Sequence, residues 1–493
     1  MPNTIINKVY GVPGAGKTTF LQEKFEDLVG RNSIAFFTFT VKAKDVMRGR
    51  LGTKYPDAFL RNIRTIHSYC YYALGMPALT NGKTWEEMKN YGYTVHPNPE
   101  DPLIESDNLL QLYEYFRHTG KMIAQGAEKD ALDRFVECYE HVKKKLGQKD
   151  FTDLLYDAVE QRIVLDTDIL FVDEAQDLTP LQWKLIWQFA RDKKEVWIGG
   201  DPLQAIYSYA GAVPSHFTDI KATKTIILDK SHRVPQRMLD FALSLVSRNP
   251  ECYLNKIHTL RKEHGEMQRM SDFESVCNAA INSNRSWFVL FRNRYYLVDF
   301  ANFLKERFVP FKSNRVEAPS REPFDALNII HRIVRGEIIT YPEMCRTLPF
   351  MHSRDVEWSL PRGFKKACRL KSATEIFKLS EQDERVRRAY KLCAERPLEC
   401  MKLDANQKDA LRFWTNASDP TNTYDRLFIS TIHGVKGDEA DCVALCDAIT
   451  RGVRAQLWED PSSEHRVFYV GATRVKERFI ILHHPRAYWR YAL

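Results

Sequence analysis

Apolar positions in this chain fall into two patterns, short continuous runs and helix-spaced stripes. Ile5, Ile6 and Val9 form a strand-like run that follows directly on Met1-Pro2-Asn3-Thr4. Phe20, Leu21, Phe25, Leu28 and Val29 then recur on one helical face, and Gly30 supplies a stop. Ile169-Leu170-Phe171-Val172 is apolar throughout, as expected of a strand buried on both faces of a parallel sheet. A second strand is predicted at Glu195-Val196-Trp197-Ile198. Helical periodicity prevails from about 75 to 149, with Leu109, Leu110, Leu112 and Tyr113 as an example, and the stretch 318–423 is charged and helix-rich. The predicted fold class is α/β, parallel sheets flanked by helices, without internal repeats or low-complexity linkers.

Length and composition narrow this picture only a little. A chain of 493 residues exceeds what one core usually serves, so two or more globular units are expected. Hydrophobic residues make up 44% and charged residues 28%, which excludes collagen-like and disordered classes. No apolar run is long enough to span a bilayer and no signal-peptide pattern opens the chain, so an intracellular, cytoplasmic protein without a membrane is expected. The net charge of +8 permits a polyanionic partner without requiring one. Lys143-Lys144-Lys145 and Arg385-Val386-Arg387-Arg388 read more readily as solvated helix faces than as phosphate contacts. The 10 cysteines are scattered singly. Cys442 and Cys446 read as small buried hydrophobes, Cys393 and Cys400 lack a second pair nearby, and no disulfide framework or metal–sulfur site is indicated.

Chemistry enters at Gly11-Val12-Pro13-Gly14-Ala15-Gly16-Lys17-Thr18, which fits G-x-x-x-x-G-K-[ST] between the first strand and the first helix. Glycines let backbone N–H groups wrap a phosphate, and the helix N-terminus adds partial positive charge. Lys17 would reach the β- and γ-phosphates and Thr18 would ligate Mg²⁺. The apolar run at 169–172 ends in Asp173-Glu174-Ala175-Gln176-Asp177. Carboxylates at the end of a central strand lie beside such a loop. Asp173 would hold Mg²⁺, and Glu174 would orient or deprotonate an attacking water. Gln204, just past the strand at 195–198, can hydrogen-bond a γ-phosphate or that water, although a lone glutamine there is more often surface polar.

After the phosphate loop come Thr38-Phe39-Thr40-Val41-Lys42-Ala43, Thr65-Ile66-His67-Ser68 and Asp150-Phe151-Thr152-Asp153-Leu154-Leu155. The acidic motif, Gly200 through Ala212, Leu228 through Arg233, Ser430 through Glu439 and Tyr469 through Arg474 complete an ordered series. This series resembles the UvrD/Rep/PcrA-type superfamily 1 DNA helicases (SF1A). The resemblance implies two RecA-like P-loop lobes, each with a mainly helical inserted subdomain. Lobe 1A would comprise 1–74 and 150–227, insertion 1B 75–149, lobe 2A 228–317 and 424–493, and insertion 2B 318–423.

Residue roles follow from the same resemblance. ATP would be bound by Gly11, Pro13, Gly14, Ala15, Gly16, Lys17, Thr18 and Thr19, with Gln204, His232, Arg233, Glu439 and Arg474 completing the site. Arg233 and Arg474 would act as finger-like cations at the γ-phosphate, and Glu439 would touch the ribose. Phe39, Tyr207 and Tyr209 would stack nucleic-acid bases, and Thr65, His67 and Thr431 would contact phosphates. His433 joins the expected nucleic-acid set, and both histidines have a structural alternative. Trp489 stands about where the family offers another stacking aromatic, with packing against the lobe as the alternative.

The chain departs from the family at several positions. Met1 to Tyr10 contain no glutamine to read adenine, and His232 replaces a stacking tyrosine. Asp438 stands for leucine, Val41 for asparagine, Tyr209 for tryptophan and Ala210 for arginine. The C-terminal tail of larger relatives is expected to be missing, and both insertions look short, which would suit a phage or other mobile-element enzyme.

The expected function is an ATP- and Mg²⁺-dependent helicase that translocates 3′→5′ on single-stranded DNA. Single-stranded DNA and junctions with duplex are the expected partners, with replication or repair proteins beyond them, and a monomer is expected. One alternative is a translocase that displaces bound proteins without processive unwinding. Another is an ATP-gated nucleic-acid-binding regulatory protein with negligible turnover.

Overall fold

The computed structural model describes residues 4–96, 104–249, 258–261, 264–353, 356–417 and 420–493. Met1, Pro2 and Asn3 of the predicted opening run lie outside them. The chain divides into two compact units, one of residues 1–270, 290–294 and 431–493, the other of 271–289 and 295–430. No helix among the described residues is long and apolar enough to cross a membrane.

The first unit is built on a six-stranded, all-parallel sheet. Its strands are β1 (Ile5–Gly11), β2 (Ile34–Phe37), β3 (Ile63–Arg64), β4 (Ile169–Val172), β5 (Glu195–Gly200) and β6 (Lys224–Leu228), in the order β3-β2-β4-β5-β1-β6. The apolar runs at 169–172 and 195–198 are therefore neighbouring strands, and β5 pairs directly with β1. Alternating side chains feed the two faces. Phe36, Phe171 and Trp197 stack in a row, with centroids 5.4 and 6.0 Å apart, toward α1 (Lys17–Leu28) and α2 (Val41–Gly52). Phe37, Val172 and Ile198 face the other way, into a core with the helices Ile66–Ala73, Phe151–Glu160 and Pro180–Phe189.

Residues 75–149 leave this sheet and return to it. Leu79 and Lys149 form a bridge at the neck, where Lys149 N–H donates to Ala78 O at 2.8 Å and Thr80 N–H to Lys149 O at 3.0 Å. Beyond it the helices Gly82–Asn90, Glu105–Thr119 and Gly126–Leu146 enclose a small core around Met88, Leu109, Phe135 and Tyr139.

In the lysine triplet Lys144 and Lys145 are exposed, as a solvated face requires, but Lys143 corrects the expectation. Lys143 is buried, and its ammonium contacts Asp150 at 2.7 Å and Asp153 and Glu140 at 2.8 Å. Asp150 and Asp153 at the start of the following helix, with Glu140 one turn back on its own, decide this.

The same unit contains three further parallel strands, with Val475–Leu482 between Ala440–Cys446 and Glu266–Met270. Cys442 and Cys446 are buried in the first of these.

The second unit packs helices around its own core. Ile330 on Glu322–Val334 and Tyr390 and Cys393 on Glu384–Glu395 are fully buried in it. An antiparallel pair, Ile339–Thr340 with Ile376–Phe377, closes one side. The arginines at 385–388 bind protein groups: Arg385 donates to Ser359 O at 3.0 Å, Arg387 donates to Gln382 O at 2.8 Å, and Arg388 pairs with Glu357. Arg385 and Arg388 are nonetheless exposed and Arg387 half-buried, in keeping with a solvated helix face.

Candidate nucleotide and nucleic-acid sites

The phosphate loop forms because glycine stands where the backbone needs it. Gly14 and Gly16 adopt φ of 73° and 78°, a region that L side chains avoid. Gly16 caps α1, and Ala15 N–H closes the turn on Val12 O at 3.0 Å. At Gly11 a Cβ would strike the side chain of Lys17. Lys17 is buried and its ammonium donates to Gly11 O at 2.8 Å, so it lies folded over its own loop. Thr18 donates to Asp173 Oδ2 at 2.7 Å, bringing together the two groups expected to hold Mg²⁺.

Strand β4 delivers the acidic segment beside that loop. Glu174 adopts φ of 54°, strained for a residue with a Cβ, and its N–H donates to Asp173 Oδ1 at 3.0 Å. Burial, reinforced by the charge of Glu174, raises the Asp173 carboxyl to about 6. Burial also opposes ionisation of Glu174, but Lys17, Lys436, a hydrogen bond from Gln176 and Arg474 together hold its pKa below the ordinary value. Gln176 donates to Glu174 Oε2 at 2.5 Å and to Asp177 Oδ2 at 3.1 Å, and accepts from Asp201 N–H at 2.9 Å. Its amide thus joins the ends of β4 and β5.

Gln204 is buried, contrary to the bland reading of a lone glutamine past a strand. Its Nε2 donates to Asp201 Oδ2 at 2.6 Å, and its Oε1 accepts from Arg474 Nη2 at 2.9 Å. Arg474 is 1% exposed and also donates to Val470 O at 2.9 Å. Burial first, and then the charge of Arg233, lower its pKa to about 9, against the pull of Glu174. Arg233 pairs with Glu439, which Lys476 also contacts at 2.8 Å. Burial resists the charge on Glu439, but Lys476 and Arg233 prevail and hold its pKa below the usual value.

A cavity of about 660 Å³ runs from Gly14, Ala15 and Gly16 past Thr19 and Phe20 to His232, Arg233 and Glu439. Arg261 and Lys476 complete its wall, and Arg261 donates to Lys476 O at 2.7 Å. Pro13 is the one loop residue among those expected at ATP whose carbonyl accepts from Ser231, at 2.7 Å.

Four of the expected nucleic-acid residues come together. Phe39 and Tyr207 have ring centroids 5.1 Å apart, Tyr207 and Tyr209 6.1 Å, and Tyr209 and His433 5.5 Å. Lys436 lies over Tyr207 at 4.9 Å, pairs with Asp177, and donates to Gln204 O at 2.8 Å. It therefore reaches from the aromatic cluster to the glutamine that holds Arg474. Burial raises Asp177 to about 7 despite that ammonium.

The other expected contacts have local partners. Thr65 is buried and caps its helix by accepting from Ser68 N–H at 3.2 Å, and Thr431 accepts from Gly434 N–H at 3.3 Å. His67 packs edge-on against Phe151 at 5.9 Å, and burial pushes its pKa down to about 4. Trp489 lies in a short strand paired antiparallel with Ala448–Ile449, its ring against Tyr488 at 4.9 Å and under Arg454 at 5.8 Å. Among the described residues its ring neighbours are these, and the aromatic cluster is not among them.

Sequence reasoning assigned no role to Gln176, Ser231, Arg261, Lys436 or Lys476. Gln176, Ser231 and Lys436 lie inside recognised motifs and Lys476 two residues past one, but each has a partner in another segment.

Residues 3–210 match the AAA domain family, and residues 367–485 match the UvrD-like helicase C-terminal domain. The chain is 25% identical over 349 residues to the ATP-dependent DNA helicase Rep of Salmonella typhimurium, covering 61% of this chain and 51% of that protein. It is also 25% identical over 352 residues to the Escherichia coli protein of that name, with the same coverage. It is 27% identical over 285 residues to the putative ATP-dependent DNA helicase YjcD of Bacillus subtilis, covering 51% of this chain and 37% of that protein. The chain spans about half the length of the Rep proteins it matches. With its motif-bearing parallel strands and both domain matches in order, this chain is similar to the UvrD/Rep-type superfamily 1 helicases.

Proposed function

We propose that the chain is an ATP-driven motor that translocates 3′→5′ along single-stranded DNA and separates strands. The observation that carries the reading is the state of Arg474. Its guanidinium is buried between the acidic segment and Gln204, yet its hydrogen bonds go to neutral acceptors: Val470 O, Asp438 O, Thr473 Oγ1 and Gln204 Oε1. Among the described residues no carboxylate pairs with it directly, Glu174 acting only through space, and a triphosphate on the Lys17 loop would bring anionic charge to this buried cation. Glu174, held ionised, would orient or deprotonate the attacking water, and Gln204 would place both that water and Arg474.

The donor set at Thr18 and Asp173 fits a hard divalent cation: a hydroxyl and a carboxylate oxygen already 2.7 Å apart. Mg²⁺ bound there would neutralise charge on the triphosphate. Asp173 would be its carboxylate ligand, and Thr18 would turn its hydroxyl oxygen from Asp173 to the ion.

Strand movement requires that nucleotide-bound and nucleotide-free states grip DNA differently, since equal affinity for both drives nothing. Lys436 supports such coupling, because it touches the base-stacking candidate Tyr207 and the backbone of Gln204 at once. We assign 1–74 and 150–227 to lobe 1A, 75–149 to insertion 1B, 228–317 and 424–493 to lobe 2A, and 318–423 to insertion 2B. The paired neck at Leu79 and Lys149 supports the first insertion.

The test is ATP hydrolysis with and without single-stranded DNA, followed by unwinding of duplexes tailed at either end. Hydrolysis stimulated by the strand, abolished in Lys17→Ala, and unwinding from a 3′ tail are expected. Equal rates with and without strand would remove the motor reading, and unwinding from a 5′ tail would reverse the polarity.

A further inference from the structure

Resting on the nucleotide site proposed above, we infer that Ser231 is a positioning residue whose hydroxyl joins the phosphate loop to the backbone of Arg233. Ser231 is fully buried. Its Oγ donates to Pro13 O at 2.7 Å and accepts from Arg233 N–H at 3.3 Å and Val234 N–H at 3.1 Å. A serine hydroxyl offers one donor and two acceptor positions, so these bonds use its whole capacity. Every one of them runs either to the loop that would hold the phosphates or to the segment that carries the arginine.

The residue itself is held from behind. Its carbonyl accepts from Leu260 N–H at 2.8 Å and from Thr259 Oγ1 at 3.2 Å, and Lys230–Ser231 pairs in parallel with His258–Thr259. Two backbone bonds flank the hydroxyl bridge: Val12 N–H donates to Leu228 O at 3.2 Å, and His232 N–H to Gly14 O at 2.9 Å. Close packing completes the join. A Cβ on Gly14 would collide with Arg233 Cβ and stand 3.1 Å from Ser231 Oγ. The loop and the arginine segment therefore have almost no room to shift independently.

The consequence differs from that of a loop residue. Removing the hydroxyl leaves the glycines and Lys17 intact, so nucleotide still binds. It strands the buried amides of Arg233 and Val234 and releases Pro13 O, so the arginine loses its fixed origin. Ser231 acts through Arg233, and turnover is where its loss is felt.

The experiment is a double-mutant cycle in the full chain, with ATP affinity from a fluorescent-nucleotide displacement assay and kcat under saturating single-stranded DNA. Ser231→Ala is expected to lower kcat about tenfold, with the dissociation constant of ATP changed less than about threefold. In an Arg233→Ala background the serine substitution is expected to cost nothing further. Ser231→Thr, which keeps the hydroxyl, is expected to retain most of the activity. If Ser231→Ala does not fold, Ser231→Cys keeps the volume with a weaker donor and serves in the same cycle. Losses that multiply in the double variant, or normal turnover without the hydroxyl beside a slow Arg233→Ala enzyme, would overturn the proposal while leaving the nucleotide site standing. Normal turnover in Arg233→Ala would remove the arginine's role and the proposal with it.

Discussion

Arg474 and Gln204 lie 270 positions apart in the chain and meet at 2.9 Å, guanidinium to amide oxygen. The glutamine is fixed in turn by Asp201, which accepts its Nε2 at 2.6 Å, and Asp201 N–H is held by Gln176. A neutral side chain thus aims a buried cation at the acidic segment without neutralising it. A carboxylate in place of Gln204 would satisfy the arginine and remove its demand for an incoming anion.

Under the proposed function that arrangement would trade stability for a binding site. Arg474→Met keeps most of the volume and removes the buried charge. The nucleotide-free variant is expected to unfold at the same temperature as the parent or higher, by up to about 3 kcal/mol of added stability. Calorimetry on the two proteins checks this, and a clear loss of stability would mean that the guanidinium bonds hold the fold together.

Glu174 is kept ionised by Lys17, Lys436 and Arg474 against the cost of burial. Glu174→Gln preserves shape and the contact with Gln176, so ATP binding is expected to survive. Turnover is expected to fall about 10²–10⁴-fold. Single-turnover hydrolysis measures the chemical step; a rate within a factor of about three of the parent would assign the base elsewhere.

Lys436 links the aromatic cluster to Gln204 through its contacts with Tyr207 and the glutamine carbonyl. Lys436→Met would leave buried Asp177 without its cation, at an expected cost of about 3 kcal/mol or more in denaturant unfolding. The expected functional signature is hydrolysis that single-stranded DNA no longer accelerates. Stimulation equal to the parent's would exclude this lysine from the coupling.

Burial lowers the imidazole pKa of His67 to about 4. An unfolded chain takes up this proton near pH 6.5, whereas the folded one resists until about pH 4. Stability should therefore fall through that window as pH drops, by up to roughly 3 kcal/mol relative to His67→Gln. Urea unfolding of both proteins across the window isolates this group. Parallel curves would mean an accessible imidazole, as a phosphate contact requires.

The strands at 169–172 and 195–198, the loop at 11–18 and the helix after it were legible because their signals are local: continuous apolar runs, glycine spacing and a 3.6-residue stripe. What stayed illegible depends on partners far along the chain. Gln204 is buried because Arg474 reaches it, and even Lys143 depends on a turn of the chain that brings Asp150 and Asp153 back over it. Ser231 meets Pro13 across 218 positions. Thr65 shows a different limit, since one motif position serves a helix cap and a ligand contact alike, and only coordinates show its bond to Ser68.

The central claim is that Arg474 serves the reacting triphosphate. Its most direct test is ATP affinity and turnover of Arg474→Ala, measured side by side with single-stranded DNA present. Affinity within about threefold of the parent, with turnover lowered about 10²-fold or more, is the expected result. Normal turnover, or an equal loss of affinity and turnover, would contradict it.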